Sequence, residues 1–184
     1  MNMGIYIIIS IAVLFIIYIF VTYNSFVNLN NQVTEAFATM DVYLKKRWDL
    51  IPNIVETVKG YAKHESDTLE SVIKLRNGNY DNMSNNEKID KNSKLTGEIS
   101  KIMALVENYP DLKANEHFLD LQKSLAKVED EIAQSRKYYN AVVRLFNNKV
   151  EMFPSNILAN ILNYKSKKMF EATDEERTNV KVKL

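Results

Sequence analysis

The sequence contains no cysteine, 3 prolines and 4 glycines in 184 residues. Without cysteine there is no disulfide, no thiol nucleophile and no thiolate metal site. So few proline and glycine residues disfavour a sheet-rich fold with many tight turns and favour long helices. No glycine-rich phosphate loop is present. The formal net charge of +1 gives no long-range attraction to nucleic acid, so we expect no nucleic-acid partner.

Charge is also absent from the start of the chain, where no charged side chain precedes Glu35. Residues 4–21 are almost wholly apolar, and as a helix they would measure about 27 Å. A bilayer core is about 30 Å thick. Tyr6 and Tyr23 stand near the two ends of this run, where interfacial aromatic residues are common. We therefore predict a transmembrane anchor over residues 1–22.

Two other interpretations of this run are less consistent with its residues. A cleaved signal peptide has a basic start and a small-residue cleavage site. Residues 1–3 include no basic side chain, and residues 22–24 make a poor cleavage site. A buried core helix would be apolar along one stripe, whereas this run is apolar on all faces. A retained anchor is favoured.

The distribution of basic residues predicts the orientation. The cluster Lys45–Arg47 follows the anchor, and no lysine or arginine precedes it. Because cytoplasmic flanks carry the excess of basic residues, we expect an outside N-terminus and a cytoplasmic body. The predicted location is the cell membrane, crossed once.

A long helix is predicted after the anchor. Apolar residues recur in steps of three and four from Phe26 to Ile73, which is the spacing of one helix face. We expect one continuous helix from the membrane to about Arg76, ended by Gly78 as a left-handed cap. Pro52 should kink this helix, and a break is the alternative. The kink is preferred because the apolar stripe continues in phase.

The second predicted helix begins at a capping box formed by Ser84 and Glu87. Pro110 stops it, because the residue before a proline avoids helical angles.

A third, strongly periodic helix is predicted to begin at Glu116, with Asn115 as its cap, and to end before Pro154. Ser155 or Asn156 should cap a short fourth helix. The predicted fold is all-α: the transmembrane helix continues into an antiparallel up-and-down bundle of three to four helices, with long first and third helices. Their spacing near 3.5 favours coiled-coil-like packing. The expected domains are the anchor, a bundle over 23–172 and a tail over 173–184, whose last residues we expect to be extended rather than helical.

Polar residues on the inward helix faces suggest a structural role. Arg47 falls on the apolar stripe of the first long helix. A buried guanidinium must be paired, but a long side chain can also reach solvent along the helix, and both possibilities stay open. We expect polar layers that fix the register of the helices. The predicted members are Tyr23, Asn24, Arg47, Asp49, Tyr139, Asn140 and Asn147.

No pattern indicates catalysis or a bound metal. His64-Glu65 begins like a zinc helix, but Thr68 occupies the place of the second histidine. There is no G-x-S-x-G elbow and no Glu-x-x-His pattern of di-iron bundles. We therefore predict no catalytic, cofactor or metal site and no enzyme activity.

A small basic patch is formed by Lys165, Lys167 and Lys168. One interpretation is a solvated helix end that suits the helix dipole. The other is contact with anionic lipid headgroups.

Several short motifs occur in a fixed order along the chain. They are YN at 23–24, DV at 41–42, RWDLIPN at 47–53, VKGYAKHE at 58–65, ENYPDLKAN at 107–115, RKYYN at 136–140 and FPSN at 153–156. Together they resemble the LemA family of bacterial membrane proteins, from the anchor to about residue 172. The resemblance implies a membrane-anchored antiparallel bundle with a short outside N-terminus and no settled biochemical activity. It also suggests an association with membrane metalloprotease-like proteins.

These observations lead to two functional hypotheses. The first is a non-enzymatic scaffold or adaptor that presents a bundle surface to a protein partner at the membrane, through an exposed apolar or aromatic patch. The alternative is a bundle that senses a ligand or lipid, in a cavity lined by tyrosine and asparagine. The expected partners are the lipid bilayer and a protein, and no cofactor is expected.

Overall fold

The structure is a computed structural model that describes residues 2–62 and 65–171. Within these ranges the secondary structure is helical, without β-strands. The α-helices are α1 Asn2–Tyr61, α2 Ser66–Leu75, α3 Asn85–Val106, α4 Pro110–Lys113, α5 Glu116–Glu151 and α6 Ser155–Ile161. A short 3-10 helix covers Tyr80–Asn82. The all-α prediction is confirmed, as are a long apolar first helix and a long helix from Glu116.

The chain forms two compact units. The first contains Met1–Phe37 and Tyr138–Met169, and the second contains Ala38–Lys137 with the described part of Phe170–Leu184. Helices α1 and α5 each contribute to both units. The divisions 1–22, 23–172 and 173–184 were drawn from expected membrane location and family likeness, so they stay predictions. The tail lies outside the described residues.

The first unit contains the apolar N-terminal part of α1. Within the described ranges, α1 is the one helix long and apolar enough to cross a membrane, and its most apolar stretch has no buried residues. A core helix of a soluble protein would be mostly buried. The exposed apolar surface therefore fits a membrane anchor.

The core of the first unit lies where α1 and α5 pack antiparallel. The Phe26 ring is fully buried, stacked on Tyr164 at 5.2 Å between centroids and edge-on to Phe146 at 6.3 Å. The Phe37 and Tyr139 rings meet at 5.7 Å. Aromatic pairs at these distances add to the stability that burial alone provides.

The second unit is built from the remainder of α1 and α5 with α2 and α3. Asn115 donates from its amide nitrogen to the Tyr61 hydroxyl at 3.0 Å, which brings the end of α1 to the start of α5. Helix α2 packs against α3. The buried apolar side chains include Leu44, Trp48, Ile51, Ile54, Val58, Leu69, Val72, Leu95, Ile99, Ile102 and Ile132.

The predicted continuous helix to Arg76 is wrong. Helix α1 ends at Tyr61 and α2 begins at Ser66. Gly60 weakens helix propensity at this point by about 1 kcal/mol relative to alanine. A separate α2 also buries Leu69 and Val72. The sequence pattern continued in phase, but it could not show that α2 returns along α1, where the Arg76 guanidinium lies 5.4 Å from the centroid of the Trp48 ring.

Gly78 has a φ of +112°, which favours glycine, but it does not cap a helix as predicted. Helix α2 ends earlier, with Arg76 as its C-cap in the right-handed region. Gly78 instead lies in the turn before the 3-10 helix. Pro52 lies inside α1, so the alternative of a helix break there is wrong, and the kink stays a prediction.

Two predicted N-caps are confirmed. The Glu87 amide donates to Ser84 Oγ at 3.3 Å, and the Ser84 amide donates to Glu87 Oε2 at 2.8 Å, which completes the capping box of α3. The Phe118 amide donates to Asn115 Oδ1 at 3.0 Å at the start of α5. Pro110 begins α4, where its missing N–H leaves no hydrogen bond unmade.

The predicted cap of the fourth helix is wrong. Pro154 is the N-cap residue of α6, which has no side-chain cap. Ser155 Oγ instead donates to the carbonyls of Lys149 at 2.7 Å and Met152 at 2.9 Å. The last carbonyls of a helix have no partner within it, and Ser155 supplies one for the end of α5.

Candidate functional site

Arg47 lies at the centre of a buried polar cluster in the second unit, with none of its surface exposed. Its Nη1 donates to both carboxylate oxygens of Glu129 at 3.0 Å and to Thr96 Oγ1 at 3.1 Å. Its Nη2 donates to the carbonyl oxygen of Asn92 at 2.8 Å and to Asn92 Oδ1 at 2.9 Å. One side chain of α1 thus joins α3 and α5.

The electrostatics of this cluster are set by burial. Loss of solvent lowers the pKa of Arg47, and the charge and hydrogen bond of Glu129 act against that shift. Arg47 Nε is buried without a hydrogen-bond partner among the described residues. A buried charge is costly unless it is paired, so Glu129 is needed for the cluster to be stable.

A second polar and aromatic group lies close to Arg47 in sequence. Asp41 accepts from the Tyr80 hydroxyl at 2.7 Å and from Lys88 Nζ at 2.6 Å. The Tyr80 and Trp48 rings lie 5.2 Å apart. Burial raises the pKa of Tyr80, and its bond to Asp41 adds to the rise. These side chains therefore use one another as partners.

An open groove of about 630 Å³ lies between α1 and α5 in the second unit. Its lining residues are Tyr43, Lys46, Asp49, Leu50 and Asn53 from α1 and Ser124, Lys127, Val128 and Glu131 from α5. The wall formed by α1, from Tyr43 to Asn53, is about 15 Å long along the helix axis. Arg47 and Glu129 join the same two helices, so this partly buried ion pair connects the two walls.

Some members of the predicted polar layer are buried in the structure, and others are exposed. Arg47 is buried and paired, which answers the question of whether it reaches solvent. Tyr23, Asn24 and Asp49 are exposed, so they do not lie in an interior layer. Asp49 pairs with Lys45 on the helix surface at 2.7 Å. The proposed role of the layer in fixing register stays a prediction.

Tyr139, Asn140 and Asn147 lie on α5 in the first unit. Tyr139 is buried, and the two asparagines are half-buried. The Tyr139 hydroxyl donates to the Lys168 carbonyl at 2.9 Å. Asn147 Nδ2 donates to the Lys167 carbonyl at 2.8 Å, and the Lys167 amide donates to Asn147 Oδ1 at 2.7 Å. These bonds hold the C-terminal segment, residues 164–169, against α5.

We expect Asn147→Leu to release the C-terminal segment. The substitution leaves both backbone groups of Lys167 without partners, at a cost of about 1 to 3 kcal/mol. Trypsin should therefore cut after Lys165 and Lys167 faster, by roughly fivefold to a hundredfold. Cleavage rates are followed by mass spectrometry of the full chain in detergent. Asn148→Leu, at an exposed neighbouring position, is the control and should leave the rates unchanged. Equal rates in both variants would contradict the assignment.

Three partners of Arg47 are not among the residues predicted from the sequence, namely Asn92, Thr96 and Glu129. Asn92 lies on α3 at a helical interval between buried Ile89 and Leu95, and a polar residue within an apolar stripe is a usable signal. Glu129 is next to Val128 on α5, and its sequence context resembles that of a surface carboxylate. Only the packing of α3 and α5 on α1 distinguishes it from its neighbours.

The described residues contain no group of three or more histidine, cysteine, aspartate or glutamate side chains able to hold a metal ion. His64 lies outside the described residues. The basic patch residues Lys165 and Lys168 are exposed, and Lys167 is half-buried with Nζ donating to Asn30 Oδ1 at 2.7 Å. Burial lowers the pKa of Lys167.

The fold and site define a membrane-associated, all-helical protein whose polar interior ties its helices together. The chain belongs to the LemA family, whose model matches residues 36–184. Protein LemA of Metamycoplasma hominis is 28% identical over 163 residues, covering 85% of this chain and 72% of the relative. The resemblance seen in the sequence motifs is confirmed.

Two magnetosome proteins are also similar. Magnetosome protein MamQ 2 of Paramagnetospirillum magneticum is 24% identical over 186 residues, covering 87% of this chain and 68% of the relative. Magnetosome protein MamQ of Magnetospirillum gryphiswaldense is 23% identical over 184 residues, covering 86% and 68%. The likeness extends across most of the present chain.

Proposed function

We propose that this protein is a non-enzymatic scaffold, anchored by one transmembrane helix, that presents the groove of its second unit to a protein partner. The observation that carries the proposal is the open groove between α1 and α5. The proposed body is cytoplasmic, following the basic residues after the anchor.

The groove has the dimensions and chemistry for an amphipathic helix of the partner. Its wall of about 15 Å matches about ten helical residues. Leu50 and Val128 are half-buried and offer apolar contact, while Lys46 and Lys127 are exposed lining residues. A helix laid between two others buries its apolar face in this way. We infer that the partner helix carries an acidic side chain facing these lysines.

Asp49 and Glu131 add negative charge to the groove, but they differ in how available their carboxylates are to a partner. Asp49 is paired with Lys45 of the same helix. Glu131 is half-buried beside Val128 and would favour a basic or hydrogen-bonding group on the partner. The charge pattern therefore favours one of the two directions in which a partner helix can lie in the groove. Charge complementarity commonly fixes the orientation of a partner in this way.

Photo-crosslinking in living cells tests this proposal. A benzophenone amino acid at Ser124, inside the groove, should give a discrete crosslinked protein. The same probe at Gln122, an exposed position of α5 outside the groove lining, should not. Lys127→Glu should abolish the product because it reverses the charge that attracts the partner. Lys123→Glu, at an exposed lysine outside the lining, should preserve it.

The outcomes separate the proposal from its alternatives. Equal products at Ser124 and Gln122, or a product unaffected by Lys127→Glu, would overturn it. Mass spectrometry of the product also tests whether the partner is a membrane metalloprotease, which the family likeness suggests.

A ligand- or lipid-sensing function is the second candidate, and the same groove favours it. Tyr43 and Asn53 are part of the lining, and about 630 Å³ is within the range of small-molecule sites. Such sites enclose most of a ligand, however, whereas this groove is open. A crosslinked product at Ser124 with the mass of a lipid or metabolite, and no protein, would support sensing.

A further inference from the structure

The short helix α6 lies against the membrane anchor. Phe15, Tyr18 and Ile19 of the anchor and Pro154, Ile157 and Ile161 of the α6 region line one apolar slot of about 110 Å³. All of these residues belong to the first unit. Phe15 and Ile19 precede Val21 by about 9 and about 3 Å along the helix axis. The contacts therefore place α6 beside the last part of the predicted span.

The region around α6 exposes large apolar side chains. Phe153 is 79% exposed and Ile161 is 73% exposed, and Met152 and Ile157 are also exposed. Residues 152–164 contain no charged side chain. We call residues 152–161 the α6 tip. Several exposed large apolar side chains on one short segment indicate a site of interaction.

Charged residues flank the uncharged stretch: Glu151 immediately precedes it and Lys165 immediately follows it. Lys149 Nζ donates to Ser25 Oγ, and Ser25 lies about 6 Å past Val21 along α1. This is the depth of the lipid headgroups, which occupy about 5 to 8 Å on each side of the bilayer core. Lys165 and Lys168 are exposed after the α6 tip. Relative to the predicted span, Pro154, Ile157 and Ile161 therefore lie at the level of the acyl chains, and Lys149 lies at the level of the headgroups.

We propose that the α6 tip inserts into the bilayer beside the anchor and forms a second membrane contact. The occupant of its exposed apolar surface is the acyl-chain region of the leaflet facing the body. The proposal follows from continuity, because α6 and the anchor share one apolar slot and present one lipid-facing surface. Interfacial helices bury their apolar face about 5 to 10 Å below the headgroup boundary, which agrees with the position beside Phe15 and Ile19.

Depth-dependent fluorescence quenching of the full chain in vesicles tests this insertion. Because the sequence has no cysteine, single-cysteine variants can be labelled specifically with an environment-sensitive NBD dye. Phe153→Cys and Ile161→Cys report on the α6 tip. Val13→Cys marks the anchor, and Gln134→Cys marks an exposed position of the second unit. The vesicles are phosphatidylcholine with or without doxyl-labelled lipid.

We expect dyes at Phe153 and Ile161 to lose most of their emission to doxyl-labelled lipid, as at Val13, and to resist quenching by aqueous iodide. The dye at Gln134 should show the opposite. Iodide quenching at Phe153 equal to that at Gln134 would overturn the proposal. Protection from iodide without doxyl quenching would also overturn it, since a second copy of the chain would then cover the tip.

A double substitution provides an independent test of the insertion. Ile157→Asn with Ile161→Asn should restore iodide access to a dye at Phe153, and Trp48 fluorescence would show that the second unit remains folded. Unchanged lipid quenching in this variant would contradict the role of the exposed isoleucines. The measurement uses purified protein without a partner, so its result is independent of the proposed groove function.

Discussion

Glu129→Ala should lower the free energy of unfolding by about 3 kcal/mol, the lower end of the range for removing one partner of a buried ion pair. The lower end applies because the Glu129 side chain is 33% exposed while Arg47 is fully buried. The substitution leaves the guanidinium with Asn92 and Thr96, which are neutral. A buried charge without a counter-charge is the dominant cost.

Trp48 provides the measurement. It is the single tryptophan of the chain, and it is buried next to Arg47 and against Tyr80 in the second unit. Its fluorescence during urea unfolding in detergent reports the stability of that unit. Asp130→Ala removes the same charge at an exposed neighbouring position and should change the free energy by at most about 0.5 kcal/mol.

A double variant identifies the cause of the loss. Arg47→Met combined with Glu129→Ala should be more stable than Glu129→Ala alone, because no unpaired charge remains inside the unit. If Glu129→Ala behaves like Asp130→Ala, the ion pair does not stabilise the second unit. If the double variant is no better than the single one, lost packing rather than an unpaired charge explains the effect.

Phe26→Ala should destabilise the first unit by about 3 to 5 kcal/mol, the usual cost of removing a fully buried phenylalanine. The Phe26 ring packs against both Phe146 and Tyr164, which also contact each other, and its loss leaves a cavity beside both rings. Tyr164 is the first residue of the C-terminal segment, so the loss also weakens the packing that holds this segment.

Hydrogen–deuterium exchange of the full chain in detergent measures this change. Amides of α5 within 138–151 should exchange faster by two to three orders of magnitude, since each 1.4 kcal/mol corresponds to about tenfold. Phe20→Ala is the matched control on the same helix, where the ring is exposed on the apolar surface. Unchanged exchange in Phe26→Ala, or equal acceleration in Phe20→Ala, would contradict the assignment of Phe26 to the core.

Local structural features were the easiest to predict from the sequence. The capping box of Ser84 and Glu87 and the cap at Asn115 involve residues three positions apart, so a short stretch of chain contains both partners. Ser155 was assigned to the wrong helix because a serine between two helices can serve either end. The choice depends on the orientation of α5 relative to α6, which the sequence does not record.

The reversal of chain direction after Tyr61 shows a different limit of prediction from sequence. The apolar spacing that predicts a helix continues from α1 into α2, since both helices bury a face. Periodicity reports that a face is buried and does not report the partner against which it is buried. The same limit applies to Arg47, because helix periodicity predicts its inward position but not its partners.

By itself, the sequence determined the helical class, the uncharged anchor and the family, because helix periodicity and the cost of placing charge in lipid act over neighbouring residues. Only the tertiary structure decided that Asn92, Thr96 and Glu129 surround Arg47, that α1 ends at Tyr61, and that α6 lies beside the anchor. These features depend on contacts between residues far apart in the chain. Their energies arise only when the helices pack.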